Sequence, residues 1–395
     1  MIPVECRSPG QQSGTAEHTM ITSVNIQGYR GFDRFEMTGL GRINLLVGTN
    51  NSGKTSVLEG IFLLMEAGDP YALWQLVSRR GERAIISLPG SDREPTPARR
   101  IQLELEACHL FRGHEVHPGS KFSISAKNQT PERSIVFTVM ELSAKDRAEL
   151  FGPADDGTLP SRLALEVQGT PPPISSMIPL SRTGGITPET LESSRRSHRR
   201  AAIGSSVFIT TESLTMQELI SHWNRVLLTP AEGLVLAALK LIDRDIERIG
   251  LQADAQPFFY NAMTRGGFLI KKRDVEQPIP IGSMGDGMWR LLAMAIVITQ
   301  CRGGVLLVDE IDTGLHYTVM SRMWQLIFGA AKEFNVQVFA TTHSYDCVHS
   351  LAQICADADE INPVTVQRVE PGKAKAVPYS TGEIKLAAER QIEMR

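Results

Sequence analysis

Hydrophobic and polar positions along the chain fall into three regimes. From residue 20 to 75, short strand-like stretches alternate with turns: 21–26, then Gly28-Tyr29-Arg30-Gly31-Phe32, then the apolar run Ile43-Asn44-Leu45-Leu46-Val47 between Gly41 and Gly48. A run of that length bounded by glycines predicts a buried parallel strand. Val57, Leu58, Ile61, Leu64 and Met65 then recur at helical spacing, so the order is strand, glycine-rich loop, helix. The middle, 76–277, reads differently. Segments 101–107, 121–126, 134–140 and 162–168 alternate with period two, as antiparallel strands do. Residues 169–200, rich in Pro, Ser, Gly and Arg, read as a long loop. A pair of helices follows. Thr215 with Glu218 forms one capping box, and Thr229-Pro230-Ala231-Glu232 reads as the better one, opening a helix that the spacing carries through Ile249 to Gly250. Segments 256–261 and 267–273 read as a hairpin. From 278 onward the alternation returns: helix 288–300, strand 305–308, helix 318–333 and strand 336–340.

This order predicts an α/β fold, a mixed sheet flanked by helices, whose two halves at 20–75 and 278–395 are split by an inserted α+β and helical region at 76–277. Residues 1–19 lack the patterning and read as a disordered leader without an apolar signal-peptide core, with Met20 as an alternative start.

Composition narrows the classes. Of 395 residues, 42% are hydrophobic and 22% charged, enough apolar content for a sizeable core. The formal charge of -3 argues against a protein held to DNA or membrane by bulk charge. Five scattered cysteines without CxxC spacing read as reduced thiols of a cytoplasmic protein. No run of 18 apolar residues is present to span a bilayer.

Residues 48–55, Gly-Thr-Asn-Asn-Ser-Gly-Lys-Thr, fit G-x-x-x-x-G-K-[ST] in full. Such a loop wraps a phosphate with backbone N–H groups while the following helix N-terminus adds its dipole. Gly48, Asn50, Asn51, Ser52, Gly53, Lys54, Thr55 and Ser56 are the expected nucleotide-binding residues, with Lys54 aimed at the β/γ-phosphates and the Thr55 hydroxyl at Mg²⁺. The strand 305–308 runs into Asp309-Glu310: Asp309 is the second expected Mg²⁺ ligand, and Glu310 the group that orients attacking water. His343, after the next apolar strand, is placed to reach a γ-phosphate. Ser283-Met284-Gly285-Asp286 opens an apolar helix and reads as a second anion site. One nucleotide cannot easily use both sites of one chain, so the second set implies completion in trans.

Together with Leu-Leu-Val-Asp-Glu-Ile-Asp-Thr-Gly-Leu-His-Tyr from 306 and Thr-Thr-His-Ser from 341, these motifs resemble the ABC-type ATPases of the SMC/RecF/Rad50 class. Within it the chain is most similar to stand-alone AAA15/OLD-type ATPases, and the opening Asn25-Ile26-Gln27-Gly28-Tyr29-Arg30-Gly31-Phe32 resembles the start of that class. The specific motifs cover about 20–65 and 278–350. The resemblance implies ATP and Mg²⁺ as ligands and a head-to-tail homodimer, or a larger assembly of dimers. In it Ser283, Gly285 and Asp286 face the partner's nucleotide, and Leu315 and His316 sit at the D-loop dimer contact. A Q-loop glutamine is implied too; Gln75 and Gln102 both qualify. Only 52 residues follow His343, too few for the Toprim nuclease of full-length OLD enzymes, and Asp357-Ala358-Asp359-Glu360 reads as a solvated run.

The resemblance further implies an ATP-driven switch or scaffold controlling a separate nuclease or toxin in a bacterial anti-phage system. The alternative is a RecF-like repair ATPase that binds DNA directly. Arg195, Arg196, Arg199 and Arg200 around His198 are the candidate contacts for DNA or an acidic partner, with Lys271-Lys272-Arg273 a smaller basic group. No aromatic residues interleave with either cluster, so stacking on single strands is not indicated.

Overall fold

The computed structural model describes residues 20–88, 100–127, 132–146, 162–170, 174–197, 206–212, 214–252, 267–357, 363–390 and 392. The N-terminal elements are β1 (Ser23–Tyr29), β2 (Phe32–Thr38), β3 (Ile43–Val47), α1 (Lys54–Met65) and α2 (Pro70–Arg79). Seven strands follow: β4 (Arg83–Leu88), β5 (Arg100–Glu106), β6 (Lys121–Lys127), β7 (Arg133–Glu141), β8 (Leu163–Thr170), β9 (Ile174–Pro179) and β10 (Gly185–Ile186). Then come α3 (Pro188–Ser197), β11 (Ser206–Ile209), α4 (Met216–Val226), α5 (Pro230–Lys240), β12 (Ile246–Leu251), β13 (Phe268–Lys272) and β14 (Ile279–Pro280). The C-terminal part holds α6 (Asp286–Gln300), β15 (Val305–Val308), α7 (Tyr317–Glu333), β16 (Gln337–Thr341), α8 (Tyr345–Asp357), β17 (Val364–Arg368), β18 (Val377–Tyr379) and α9 (Thr381–Arg390).

The central sheet runs β11-β15-β16-β3-β17-β18, parallel except for the last strand. Its inner strands β3, β15 and β16 are buried at every position, which is why apolar residues predominate in each. Successive side chains of one strand point to opposite faces, so the sheet feeds two cores. Ile43, Leu45, Val47, Leu306, Val308, Val338 and Ala340 pack with the helical layer of α4 to α9. Leu46, Val305, Leu307 and Phe339 pack with α1, α2 and a second, antiparallel sheet of order β2-β1-β6-β7-β8-β9.

Buried polar groups stitch the chain's distant ends together. Gln337, almost fully buried, accepts from Ile21 N at 2.9 Å and donates to Ile21 O and Gly41 O. Asn44 donates to Val338 O at 3.2 Å and accepts from the Thr365 hydroxyl at 2.9 Å.

Several expectations change. Both sheets run across the boundaries expected for an insert: β1 pairs with β6, and β11 pairs with β15. Residues 169–200 are not one loop. They hold β9, β10 and α3, hidden by a composition in which Ile178, Leu180 and Ile186 are the buried apolar positions and Thr187 caps α3 by accepting from Thr190 N. Helix α5 stops at Lys240 instead of reaching Gly250, because Ile246 is fully buried as part of β12 beside Phe268 and Ile270 of β13. The hairpin partner of β13 is therefore β12, and segment 256–261 lies outside the described residues, as do 1–19. The caps also exchange rank. Thr215 and Glu218 make both bonds of a capping box, whereas the Thr229 hydroxyl turns back to Val226 O and Glu232 accepts from Leu228 N.

Candidate nucleotide site

Strand β3 ends at Val47, and the loop that follows bends through left-handed backbone at Gly48 (φ 141°), Asn51 (61°) and Gly53 (98°) before α1 begins at Lys54. The glycines are required sterically as well as conformationally. A Cβ on Gly48 would lie 2.2 Å from Val369 O, and one on Gly53 2.4 Å from Phe32 Cζ. The first amides of α1 have no intrahelical partner, so the loop and helix start present a set of donors at one point. Lys54 is buried beneath the loop, with Nζ donating to Gly48 O at 3.0 Å and Thr49 O at 2.9 Å. Burial pushes its ammonium down to about 8, against the opposing pull of Asp309 and Glu310.

Parallel pairing sets the ends of β15, β16 and β3 side by side, so residues far apart in sequence converge. The Thr55 hydroxyl donates to Asp309 at 3.0 and 3.1 Å, and the Thr341 hydroxyl donates to Asp309 Oδ1 at 2.6 Å. Thr341 also accepts from Glu310 N at 2.8 Å, so one hydroxyl holds both acids in place. Glu310 has φ of 46°, a left-handed conformation that is uncommon for a side chain of this size. Such backbone persists where its surroundings over-determine it, and it concentrates at functional sites. Its Oε2 accepts from the Thr313 hydroxyl at 3.2 Å. The Thr342 hydroxyl donates to Asp312 at 2.5 Å and accepts from Ser344 N at 2.9 Å, which fixes the turn carrying the half-buried His343.

Two clefts flank the start of α1. One, of about 180 Å³, is lined by Thr55 and Asp309 together with Arg79, Arg80, Thr210 and Glu212. The other, of about 640 Å³, lies against Asn51, Ser52 and Ser56 and is lined by Arg30, Arg34, Arg112 and Lys373. Arg80 borders both. It is anchored at Glu59 Oε1 (2.6 Å), and Arg30 bonds the other oxygen of Glu59 (2.7 Å) and Glu82 (2.6 Å). Glu59 lies one helical turn after Thr55, so this network braces α1 from behind.

Residues 48–56, Asp309 and Glu310 thus meet in one place. Ser283, Gly285 and Asp286 do not join them: they are exposed at the start of α6 and line neither cleft. Of the two residues expected at the D-loop contact, Leu315 is buried against α6 and only His316 is exposed, because Leu315 belongs to the helical core. Gln75 in α2 lines neither of these two clefts, and the Gln102 side chain lies outside the described residues; the chain enters the smaller cleft as Thr210-Thr211-Glu212, directly after β11. That entry was hidden, because β11 is four residues long and follows an Arg-rich stretch. Arg80 and Arg290 were also missed, Arg290 although it stands in the motif after Ser283; a charged residue inside an apolar run such as 288–298 is the signal that marks it. Arg195 and Arg196 lie in α3, while His198, Arg199, Arg200, Asp359 and Glu360 are outside the described residues. Lys272 is tied to Asp243 at 2.8 Å. Among the described residues no helix is long and apolar enough to cross a membrane.

Comparison with known proteins agrees with this geometry. Residues 77–346 match the family described as "AAA domain, putative AbiEii toxin, Type IV TA system", and residues 20–112 match the family "AAA ATPase domain". An ATP/GTP phosphatase of Helicobacter pylori is 22% identical over 362 residues, covering 86% of this chain and 90% of that protein. An uncharacterized protein of Methanocaldococcus jannaschii is 31% identical over 77 residues, 18% of this chain and 35% of that protein. Among solved structures, the Smc head domain bound to the C-terminal domain of ScpA, from Pyrococcus furiosus, aligns with a TM-score of 0.45 at 12% identity, covering 94% of this chain and 99% of that one. The SMC head domain of Thermotoga maritima aligns with a TM-score of 0.39 at 13% identity, covering 91% and 98%. With the larger family match spanning more than half its length, the chain belongs to the family described as "AAA domain, putative AbiEii toxin, Type IV TA system".

Proposed function

We propose that the chain is an ATP-driven switch that closes as a head-to-tail homodimer around two nucleotides and controls a separate effector. The observation that carries this reading is the meeting of Thr55, Asp309 and Glu310 beside a P-loop whose own chain leaves Ser283, Gly285 and Asp286 exposed and away from it. Thr55 and Asp309 are adjacent hard oxygen donors, a set that suits Mg²⁺ bound with the nucleotide. The ion would neutralise phosphate charge during transfer to water. Lys54 exchanges the loop carbonyls for phosphate oxygens, Glu310 and His343 orient the attacking water, and Ser283 and Gly285 of a second copy cover the γ-phosphate.

The effector reading draws on the family description, which pairs an AAA domain with a toxin–antitoxin system. The partner class we propose is a separately encoded nuclease or toxin, in a bacterial anti-phage system of the cytoplasm. The net charge of -3 supports a protein partner over a DNA clamp. The test is Glu310→Gln with ATP and Mg²⁺. Hydrolysis should fall roughly a hundredfold or more, and light scattering should find the variant as an ATP-dependent dimer. Undiminished hydrolysis, or a monomer at saturating ATP, would count against the switch.

A further inference from the structure

Arg290 lies in the first turns of α6, only five residues after the exposed Gly285, yet it is 3% exposed. Its guanidinium spans two strand ends. Nη1 donates to Thr210 O at 2.5 Å and Thr211 O at 3.3 Å, beyond β11. Nη2 donates to Asp309 O at 2.6 Å and Glu310 O at 2.9 Å, beyond β15. Glu310 is the residue whose backbone is left-handed, so its peptide is held from one side by Thr341 and from the other by Arg290. A second contact joins the same helix start to the same turn. Gly287 packs so closely on this turn that an added Cβ would meet Gly314 O at 2.7 Å, and a Cβ on Gly314 would lie 3.1 Å from Asp286 Cβ.

We infer that Arg290 is a positioning residue: it sets the backbone of Glu310 and rigidly joins the catalytic turn to the segment Ser283–Asp286, where Ser283, Gly285 and Asp286 are exposed. Whatever engages that segment, a partner's nucleotide above all, therefore moves or braces the acid in the same chain. A planar guanidinium can serve four carbonyls on two strands at once, and a lysine ammonium cannot. The inference rests on the reading that Glu310 acts on the nucleotide.

Arg290→Lys tests it, with kcat counted per nucleotide-binding site titrated by a fluorescent ATP analogue. The expected result is a fall in kcat of roughly tenfold to a hundredfold, as for a displaced catalytic group, with KM and analogue affinity within twofold of wild type. A purely structural role would lower the number of competent sites and the melting temperature while leaving kcat per site unchanged, and that result overturns the inference. So does an equal loss of affinity and kcat. Arg290→Gln, which keeps two amide hydrogens, serves if lysine prevents folding. If neither variant folds, hydrogen exchange of the wild type decides: segments 286–290 and 309–312 gain protection together on binding ATP and Mg²⁺, or the inference falls. A wild type that binds but never hydrolyses overturns this proposal together with the reading beneath it; a hydrolysing wild type with an unaffected Arg290→Lys overturns this proposal alone.

Discussion

Lys54 shows how far a single residue's chemistry depends on what surrounds it. The motif requires a lysine at this position, but only the structure places its ammonium beneath the loop, where burial lowers it to about 8. Bound phosphate favours the charged form, so binding takes up a proton wherever the free lysine has lost one. Below about 8 both states are protonated and affinity is flat; above it, affinity should fall by up to about tenfold per pH unit until the bound form also titrates. Titrating a fluorescent ATP analogue between pH 7 and 9.5 checks the sign, and affinity that rises with pH would contradict it. The same linkage makes the empty protein gain stability as pH rises from the folded value of about 8 towards the ordinary lysine value of 10.5, because the unfolded chain binds the extra proton there. The roles suggested for Lys54, Thr55, Asp309 and Glu310 were legible from spacing alone, because a P-loop and a strand-borne acid pair are local patterns. Thr341 stands within a motif, but its two hydrogen bonds, to Asp309 and from Glu310 N, are contacts between strands and have no local signature.

At the scale of elements, the helix caps separate what a pattern offers from what the chain uses. Thr215 bonds Glu218 N while Glu218 bonds Thr215 N, so Thr215→Ala should cost about 1 kcal/mol. Thr229 starts a helix with the stronger sequence signature but makes no cap bond, so Thr229→Ala should cost a few tenths of a kcal/mol at most, roughly a surface substitution. Urea unfolding of the two variants ranks them, and equal losses would refute the distinction. Long, strongly patterned elements such as α1, α6, α7 and the inner strands were legible because one period dominates each of them. Helix α5 was overextended because Leu241, Ile242 and Ile249 fit a helical spacing, while burial of Ile246 beside β13 decided for a strand. Strand β9 and helix α3 escaped notice because they bury few apolar residues and carry the composition of a loop.

Across the whole molecule, the proposed dimer makes a prediction that no single chain can satisfy. Lys54→Ala spoils the P-loop and Ser283→Arg spoils the covering segment, so each homodimer should be inactive. In an equal mixture half of the dimers are mixed and each holds one intact pair, restoring roughly a quarter of wild-type sites if each P-loop meets the partner's covering segment across a two-fold axis. No recovery on mixing, measured as phosphate release, would mean that the segment does not act in trans. The α/β class, the parallel strands and the nucleotide chemistry were set by the sequence itself, since hydrophobic period and a contiguous phosphate-binding loop are properties of neighbours along the chain. Only the tertiary structure decided that strands of the middle region pair into both sheets, that Thr210-Thr211-Glu212 enters the cleft, and that Arg290 grips the catalytic turn. The reason is physical: strand pairing and carbonyl–guanidinium contacts join residues 20 to 104 positions apart through backbone groups that every residue carries, so side-chain identity alone does not announce them.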